Sequence, residues 1–195
     1  NTSSPNINAG GTYTLTVTNA NGCTDTDFVT ISENTNTPNV VTSSASSTID
    51  CVNSFFNLSA SGGVVFSWST TNGNIVSGVN TSSPTINAGG TYTVLVTDAN
   101  GCTGSGNITI GQNTTPPTAN ASSAISTIDC NNPSLTLTGS GSGAYSWSTT
   151  NGNIVSGANT PNPTISSEGT YTLTITGANG CDASDSITIN ENFTP

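Results

Sequence analysis

Two kinds of side chain in this 195-residue chain could carry strong chemistry: five Cys and ten Asp or Glu. No Lys, Arg, His or Met accompanies them. A Ser-His-Asp triad, a Ser-Lys pair and a Cys-His pair are therefore impossible, since each needs a nitrogen base beside the nucleophile. Paired carboxylates could still hydrolyse a glycoside. Such a pair ought to recur wherever the sequence recurs, and it does not. Asp50 and Asp129 are equivalent, but Asp98 is matched by Asn19 and Gly177. The acids read as solvated or turn carboxylates; neither enzymatic activity nor a cofactor is expected.

The cysteines do recur. Cys23, Cys102 and Cys181 are spaced by 79 residues, as are Cys51 and Cys130. Two Cys per repeat without His cannot make an ordinary zinc site, so they read as disulfides. The repeat suggests Cys51 with Cys102 and Cys130 with Cys181, leaving the partner of Cys23 outside the chain. A bridge across about 50 residues stabilises by on the order of 4 kcal/mol on the chain-entropy model. It also implies an oxidising, extracellular setting. Calcium is the other option for the acids. Asp25 and Asp27 lie just beyond one Asn-Gly turn, and Asp182 and Asp185 beyond another, where oxygen-rich segments can hold Ca²⁺. The middle repeat has Gly104 and Gly106 in place of the first pair, so no repeat-wide metal site is expected.

The elements that hold these residues repeat as well. Gly90 to Cys102 (GTYTVLVTDANGC) is matched by Gly11 to Cys23 and Gly169 to Cys181, and a fixed long period marks one structural unit per repeat. Tyr92, Val94 and Val96 alternate with Thr91, Thr93, Leu95 and Thr97, the period of a half-buried strand. Asn100-Gly101 then supplies the positive φ of a tight hairpin. The returning strand is expected over 107–110, with Ile108 and Ile110 facing the core. Upstream, Thr48-Ile49-Asp50-Cys51 recurs as Thr127-Ile128-Asp129-Cys130. Phe56 and Leu58 match Leu135 and Leu137 and read as core. Phe55 matches Ser134 and should face out. Trp68 and Trp147, beside Phe66 and Tyr145, read as core residues and not as sugar-stacking platforms.

Roughly seven short strands per repeat, with turn signals between them, predict an all-β fold of tandem β-sandwiches with a 79-residue repeat. Cuts in the Thr/Pro/Asn-rich linkers give 1–37 as the second half of a repeat and 38–116 and 117–195 as whole ones. Either the chain is a window on a longer array, or another chain completes the half. Short Pro-containing linkers are stiff, so a rod is expected.

A net charge of −10 without one basic side chain argues against nucleic acid, whose affinity rests on Lys and Arg meeting phosphates. Attraction to an anionic membrane fails for the same reason. No apolar run is long enough to span a bilayer.

The G-T-Y-T-x-x-V/I-T-x-A-N-G-C segment, preceded by an aromatic-Ser-Trp-Ser strand, resembles the immunoglobulin-like and PKD-like repeats of very large Bacteroidota surface proteins. These are the SprB-type gliding adhesins exported by the type IX system. The resemblance implies immunoglobulin-like sandwiches, secretion to the cell surface, and a stalk or adhesion role with adjacent repeats or identical chains as partners. Two features depart from it. The PKD-type W-D-F-G-D-G segment is absent, because Trp68 is followed by Ser69-Thr70-Thr71. The second Cys lies ten residues after Tyr92, past the hairpin, where antibody domains place it two residues after the equivalent Tyr. The bridge should therefore tie an early-strand end to the hairpin.

N-x-S/T triplets begin at Asn1, Asn57, Asn80, Asn107, Asn113, Asn120 and Asn192 and mark acceptors for covalent glycans. Asn80, Asn113, Asn120 and Asn192 are the better placed. Asn57 and Asn107 lie on predicted strands. Ser186, in Asp185-Ser186-Ile187, resembles the O-glycosylation signal of Bacteroidota. An outward Thr ladder (Thr12, Thr14, Thr16, Thr18, and again Thr170 to Thr176) fits exposed-strand propensity. The expected function is a non-enzymatic extracellular rod, as adhesin stalk or filament subunit. A carbohydrate-binding array would need exposed aromatics at equivalent positions. An ice-binding face would need an unbroken Thr plane, which Leu95 interrupts.

Overall fold

The computed structural model describes residues 3–193. They form nineteen strands. The first two are β1 (Gly11–Thr18) and β2 (Thr24–Ile31), an antiparallel hairpin that pairs Gly11 with Ile31 and Thr18 with Thr24. Two β-sandwiches follow.

The first sandwich has eight strands: β3 (Val41–Ser44), β4 (Thr48–Asp50), β5 (Phe56–Ser61), β6 (Val65–Thr70), β7 (Ile75–Ser77), β8 (Thr85–Ile86), β9 (Gly90–Thr97) and β10 (Thr103–Asn113). One sheet runs β4-β10-β9-β6 and the other β3-β5-β8-β7. The second sandwich repeats this with β11 (Ala119–Ser122), β12 (Thr127–Asp129), β13 (Leu135–Thr136), β14 (Thr138–Gly141), β15 (Ala144–Thr150), β16 (Ile154–Ser156), β17 (Thr164–Ile165), β18 (Gly169–Thr176) and β19 (Asp182–Asn192). Its one departure is a split of the β5 equivalent into β13 and β14. The order β12-β19-β18-β15 matches the first sandwich strand for strand.

Alternation explains the cores. Tyr92, Val94 and Val96 of β9 are fully buried while Leu95 between them is exposed. They pack with Ile49, Leu58, Trp68, Ile86 and Ile110. Ile128, Leu135, Leu137, Trp147, Ile165, Tyr171, Leu173, Ile175 and Ile189 form the second core. Phe56 is half-buried against the first core and Phe55 is exposed. Each Trp satisfies its indole by donating Nε1–H to a carbonyl: Trp68 to Thr81 at 3.0 Å and Trp147 to Thr160 at 3.1 Å.

A tyrosine fixes the start of each hairpin strand. The Tyr92 hydroxyl donates to the Ala88 carbonyl at 2.6 Å and accepts from the Asn74 amide at 3.0 Å. Tyr171 does the same with Ser167 and Asn153, at 2.6 and 3.1 Å. Tyr13 donates to Ala9 at 2.7 Å. A buried Tyr reaching back four residues to the backbone is the tyrosine corner of immunoglobulin-like sandwiches. Gly73 and Gly152 let the chain pass over the ring, since a Cβ at either would collide with the hydroxyl below it.

Three local expectations change. The segment Thr48 to Asp50 is a strand of its own, laid parallel on the end of β10 (Gly111↔Thr48, Asn113↔Asp50). The returning strand is eleven residues, not four. Gly104 and Gly106 start it because β3 and its approach cross close above: a Cβ at Gly106 would lie 2.9 Å from Val40. The Asn-Gly turn is also different. Gly22, Gly101 and Gly180 have positive φ and the Asn before each does not. The loop closes instead through the Asp98 amide on the Cys102 carbonyl and the Gly101 amide on the Asp98 carbonyl, which leaves the Asn side chain for other use.

The first hairpin keeps this design without a covering sheet. Leu15 is 62% and Val17 56% exposed, whereas their counterparts Val94 and Val96 are at 0%.

Candidate functional site

The distinctive chemistry lies between the two sandwiches. Because β4 lies parallel on the end of β10, the loop after it sits at the pole where β10 leaves the first sandwich. Cys51 is in that loop. Cys102 precedes β10, at the opposite pole. The ten residue steps of β10 separate them by about 33 Å at roughly 3.3 Å each. They cannot bond, and the expected pairs Cys51–Cys102 and Cys130–Cys181 do not form. Cys51 is bonded to Cys181 across a sequence separation of 130, with Cα atoms 5.1 Å apart. Cys23, Cys102 and Cys130 are free thiols. The bond does tie an early-strand end to a hairpin, but to the hairpin of the next sandwich.

Around it the two surfaces are built for each other. Asp50 shapes the loop: its carboxylate accepts from the amides of Asn53 at 2.6 Å and Val52 at 3.0 Å. The Asn53 amide holds the Asp50 carboxyl below the usual carboxylate range, against a smaller opposing effect of desolvation. The ordered loop then donates the Cys51 amide to the Asn179 carbonyl at 3.1 Å. Val52 lies over Gly180, whose missing side chain makes the room. Asn179 turns its Nδ2 to the end of β10, donating to the Asn113 carbonyl at 3.1 Å, the Asn113 Oδ1 at 3.1 Å and the Thr115 carbonyl at 2.9 Å. Its Oδ1 accepts from the Cys181 amide at 3.2 Å. Cys181 itself is 2% exposed.

Half of this joint occurs once more. Asn100, the counterpart of Asn179, donates Nδ2 to the Asn36 carbonyl at 3.1 Å, and Asn36 is the counterpart of Thr115. The hairpin grip on the preceding linker thus recurs. The Asn had been assigned a turn role, and its reach to a neighbour has no signature in sequence beyond its recurrence.

The acids are not gathered. Among the described residues no three His, Cys, Asp or Glu side chains could share a metal ion. Asp25 and Asp27 each accept from the next backbone amide, at 2.9 and 2.8 Å. Asp182 accepts from the Thr176 hydroxyl at 2.6 Å. Asp185 accepts from the Ala121 amide at 2.8 Å, fastening β11 to β19, and from Ser186 at 2.9 Å. The Ala121 bond, then the Ser186 bond, hold its carboxyl below the ordinary value. In the first sandwich the same fastening is made by the Thr42 hydroxyl on the Asn107 carbonyl, at 2.9 Å.

Of the glycosylation candidates, Asn80, Asn113, Asn120, Asn192 and Ser186 are all exposed, as are Asn57 and Asn107 on their strands. Asn1 lies outside the described residues. Asn113 is engaged by Asn179. Trp68 and Trp147 are buried, so neither offers a face to a sugar. No helix among the described residues is long and apolar enough to cross a membrane.

No family model matches the chain, and no curated protein matches it. Several solved structures share a distant likeness. The protocadherin fragment PcdhgB3 EC1-4 is 10% identical with a TM-score of 0.41, over 97% of this chain and 66% of that one. The C-terminal fragment of intimin, solved with its receptor's intimin-binding domain, is 13% identical with a TM-score of 0.43, over 78% of this chain and 64% of that one. The insect immune protein hemolin is 12% identical with a TM-score of 0.38, over 93% of this chain and 56% of that one. The chain therefore spans between about half and two thirds of these structures' own length.

Proposed function

We propose that this chain is a non-enzymatic, extracellular structural segment: a stiff rod of immunoglobulin-like repeats that serves as an adhesin stalk or a filament subunit. The Cys51–Cys181 bond carries the reading. A disulfide within a domain stabilises that domain, whereas one between domains fixes their relative orientation. Here it is reinforced by the Asn179 grip on Asn113 and Thr115. The bond requires an oxidising compartment, which supports a location outside the cell. A surface without one basic group and rich in exposed Ser, Thr and Asn suits a hydrated, glycan-bearing exterior. The resemblance to Bacteroidota surface repeats points the same way.

Small-angle X-ray scattering of the full chain, with and without reductant, tests the rod. The oxidised chain should fit one elongated shape, and the reduced chain a wider spread of inter-sandwich angles. An oxidised chain that already samples bent and extended shapes equally would overturn the proposal.

A further inference from the structure

The free Cys130 loop and the free Cys23 hairpin have the two shapes that meet in the Cys51–Cys181 joint, and they occur at opposite sides of the molecule. We propose that they are the two halves of one latch. Copies of this chain join end to end through a disulfide between Cys130 of one copy and Cys23 of a second copy.

The Cys130 side is preformed. Thr127-Ile128-Asp129-Cys130 repeats Thr48-Ile49-Asp50-Cys51, and β12 lies parallel on the end of β19 (Ile128↔Glu191, Asp129↔Asn192) as β4 does on β10. Cys130 is thereby set at the pole of the second sandwich that faces away from the first, and it is exposed. Asp129 shapes the loop as Asp50 does, accepting from the amides of Asn131 at 2.9 Å and Asn132 at 2.7 Å. The Asp129 amide donates to the Asn132 carbonyl at 3.2 Å, matching Asp50 to Asn53 at 3.3 Å.

The Cys23 side is preformed as well. The Asn19 amide donates to the Cys23 carbonyl at 2.9 Å and the Gly22 amide to the Asn19 carbonyl at 3.0 Å. The corresponding bonds in the closed joint, Gly177 to Cys181 and Gly180 to Gly177, are both 2.9 Å. Gly22 has φ 83° against 71° at Gly180. A Cβ at Gly22 would meet nothing within 4 Å, where one at Gly180 would strike Val52, so the seat for the loop is open. Asn21 stands where Asn179 grips. Cys102 has the same local shape but a different setting. It is half-buried, and the Asn36 linker already lies against Asn100. Asn131 replaces Val52 in the Cys130 loop, so the apolar contact is lost and the disulfide must hold the joint.

The chemistry is an ordinary two-step exchange. One thiolate attacks a small-molecule disulfide such as oxidised glutathione, forming a mixed disulfide and releasing one glutathione thiolate. The second protein thiolate displaces the other. Two protein thiols are oxidised to one disulfide, and the glutathione disulfide is reduced to two thiols. The proposal deepens the rod reading and rests on it only for the end-on direction of growth.

The test oxidises the full chain with glutathione disulfide and reads it on a non-reducing gel, with chymotryptic peptide mapping to identify the bonds. A ladder beyond dimer is expected, linked by a Cys23–Cys130 peptide. It should vanish in Cys23→Ser and in Cys130→Ser and persist in Cys102→Ser. Alkylation of the native chain's exposed thiols before oxidation should also abolish it, without any substitution. A chain that stays monomeric, a product that stops at a Cys130–Cys130 dimer, or a ladder that survives Cys23→Ser would overturn the proposal. Scattering from the monomer reports on the rod separately, so failure of the latch and failure of the rod are told apart.

Discussion

Cys51 is bonded to Cys181 of the following sandwich, while Cys102 of its own sandwich stands at the far end of β10. The disulfide therefore couples two cores and reinforces neither alone. On the chain-entropy model a loop of this length is worth about 5 kcal/mol, realised only when both sandwiches unfold together. Calorimetry should show one broad or merged transition for the native chain and two separate ones for Cys51→Ser. Identical profiles would mean that the bond does not couple the cores.

The tyrosine corners should matter for the sandwiches and not for the first hairpin. Tyr171→Phe removes the hydroxyl that serves Ser167 and Asn153 and strands a buried amide, at a cost of about 1–3 kcal/mol. Tyr13→Phe should leave the urea midpoint of the sandwiches unchanged. The two variants form a matched pair, because both lose the same atom.

Gly180 and Gly101 form another. Both have φ in the left-handed region, so Ala at either stores backbone strain of about 1 kcal/mol or more. Only Gly180→Ala also pushes on Val52. Scattering should show a loosened joint in Gly180→Ala and an unaltered one in Gly101→Ala. Equal behaviour would remove the Val52 contact from the account of stiffness.

Acid should weaken the β11–β19 fastening. The Asp185 carboxyl lies below its ordinary 3.8 because it accepts from Ala121 and Ser186. A depressed folded value contributes stability that is present above 3.8 and is lost as pH falls through that lower value. Asp185→Asn should therefore flatten the acid limb of the second sandwich's stability, read as urea midpoints from about pH 5 to about pH 2. An unchanged limb would show that the bond to Ala121 contributes nothing. Asp50 behaves with the same sign, through Asn53.

A sugar on Asn113 would compete with Asn179 for the same side chain. Mass spectrometry of native material should find glycans at Asn80 or Asn120 before Asn113. Full occupancy of Asn113 alongside an intact Cys51–Cys181 bond would refute that order.

The fold was legible where chemistry alternates along the chain. Tyr92, Val94 and Val96 against Leu95, and Phe56 against Phe55, declare their sides by period and by comparison between repeats, and the structure agrees. The joint was not legible. Recurrence shows that Cys51 and Cys102 belong to one repeat, but not that they sit at opposite poles. That follows from the parallel seating of β4 on β10 and from the length of β10, neither of which leaves a periodic trace. Asn179 misled for a related reason: Asn before Gly is so good a turn residue that its side chain's reach to another domain goes unread.

Tension supplies a last consequence of the Cys51–Cys181 bond. A pull on the backbone on either side of it passes from Cys51 through the sulfurs to Cys181 and then onward. The chain between them, which includes both Trp residues and most of both cores, is a closed loop off the line of force. Even a force that unravelled those cores could not draw that chain out until the bond was reduced. In single-molecule stretching the loop should appear as missing contour length that returns on adding reductant. A full-length extension under oxidising conditions would show that the load takes another path.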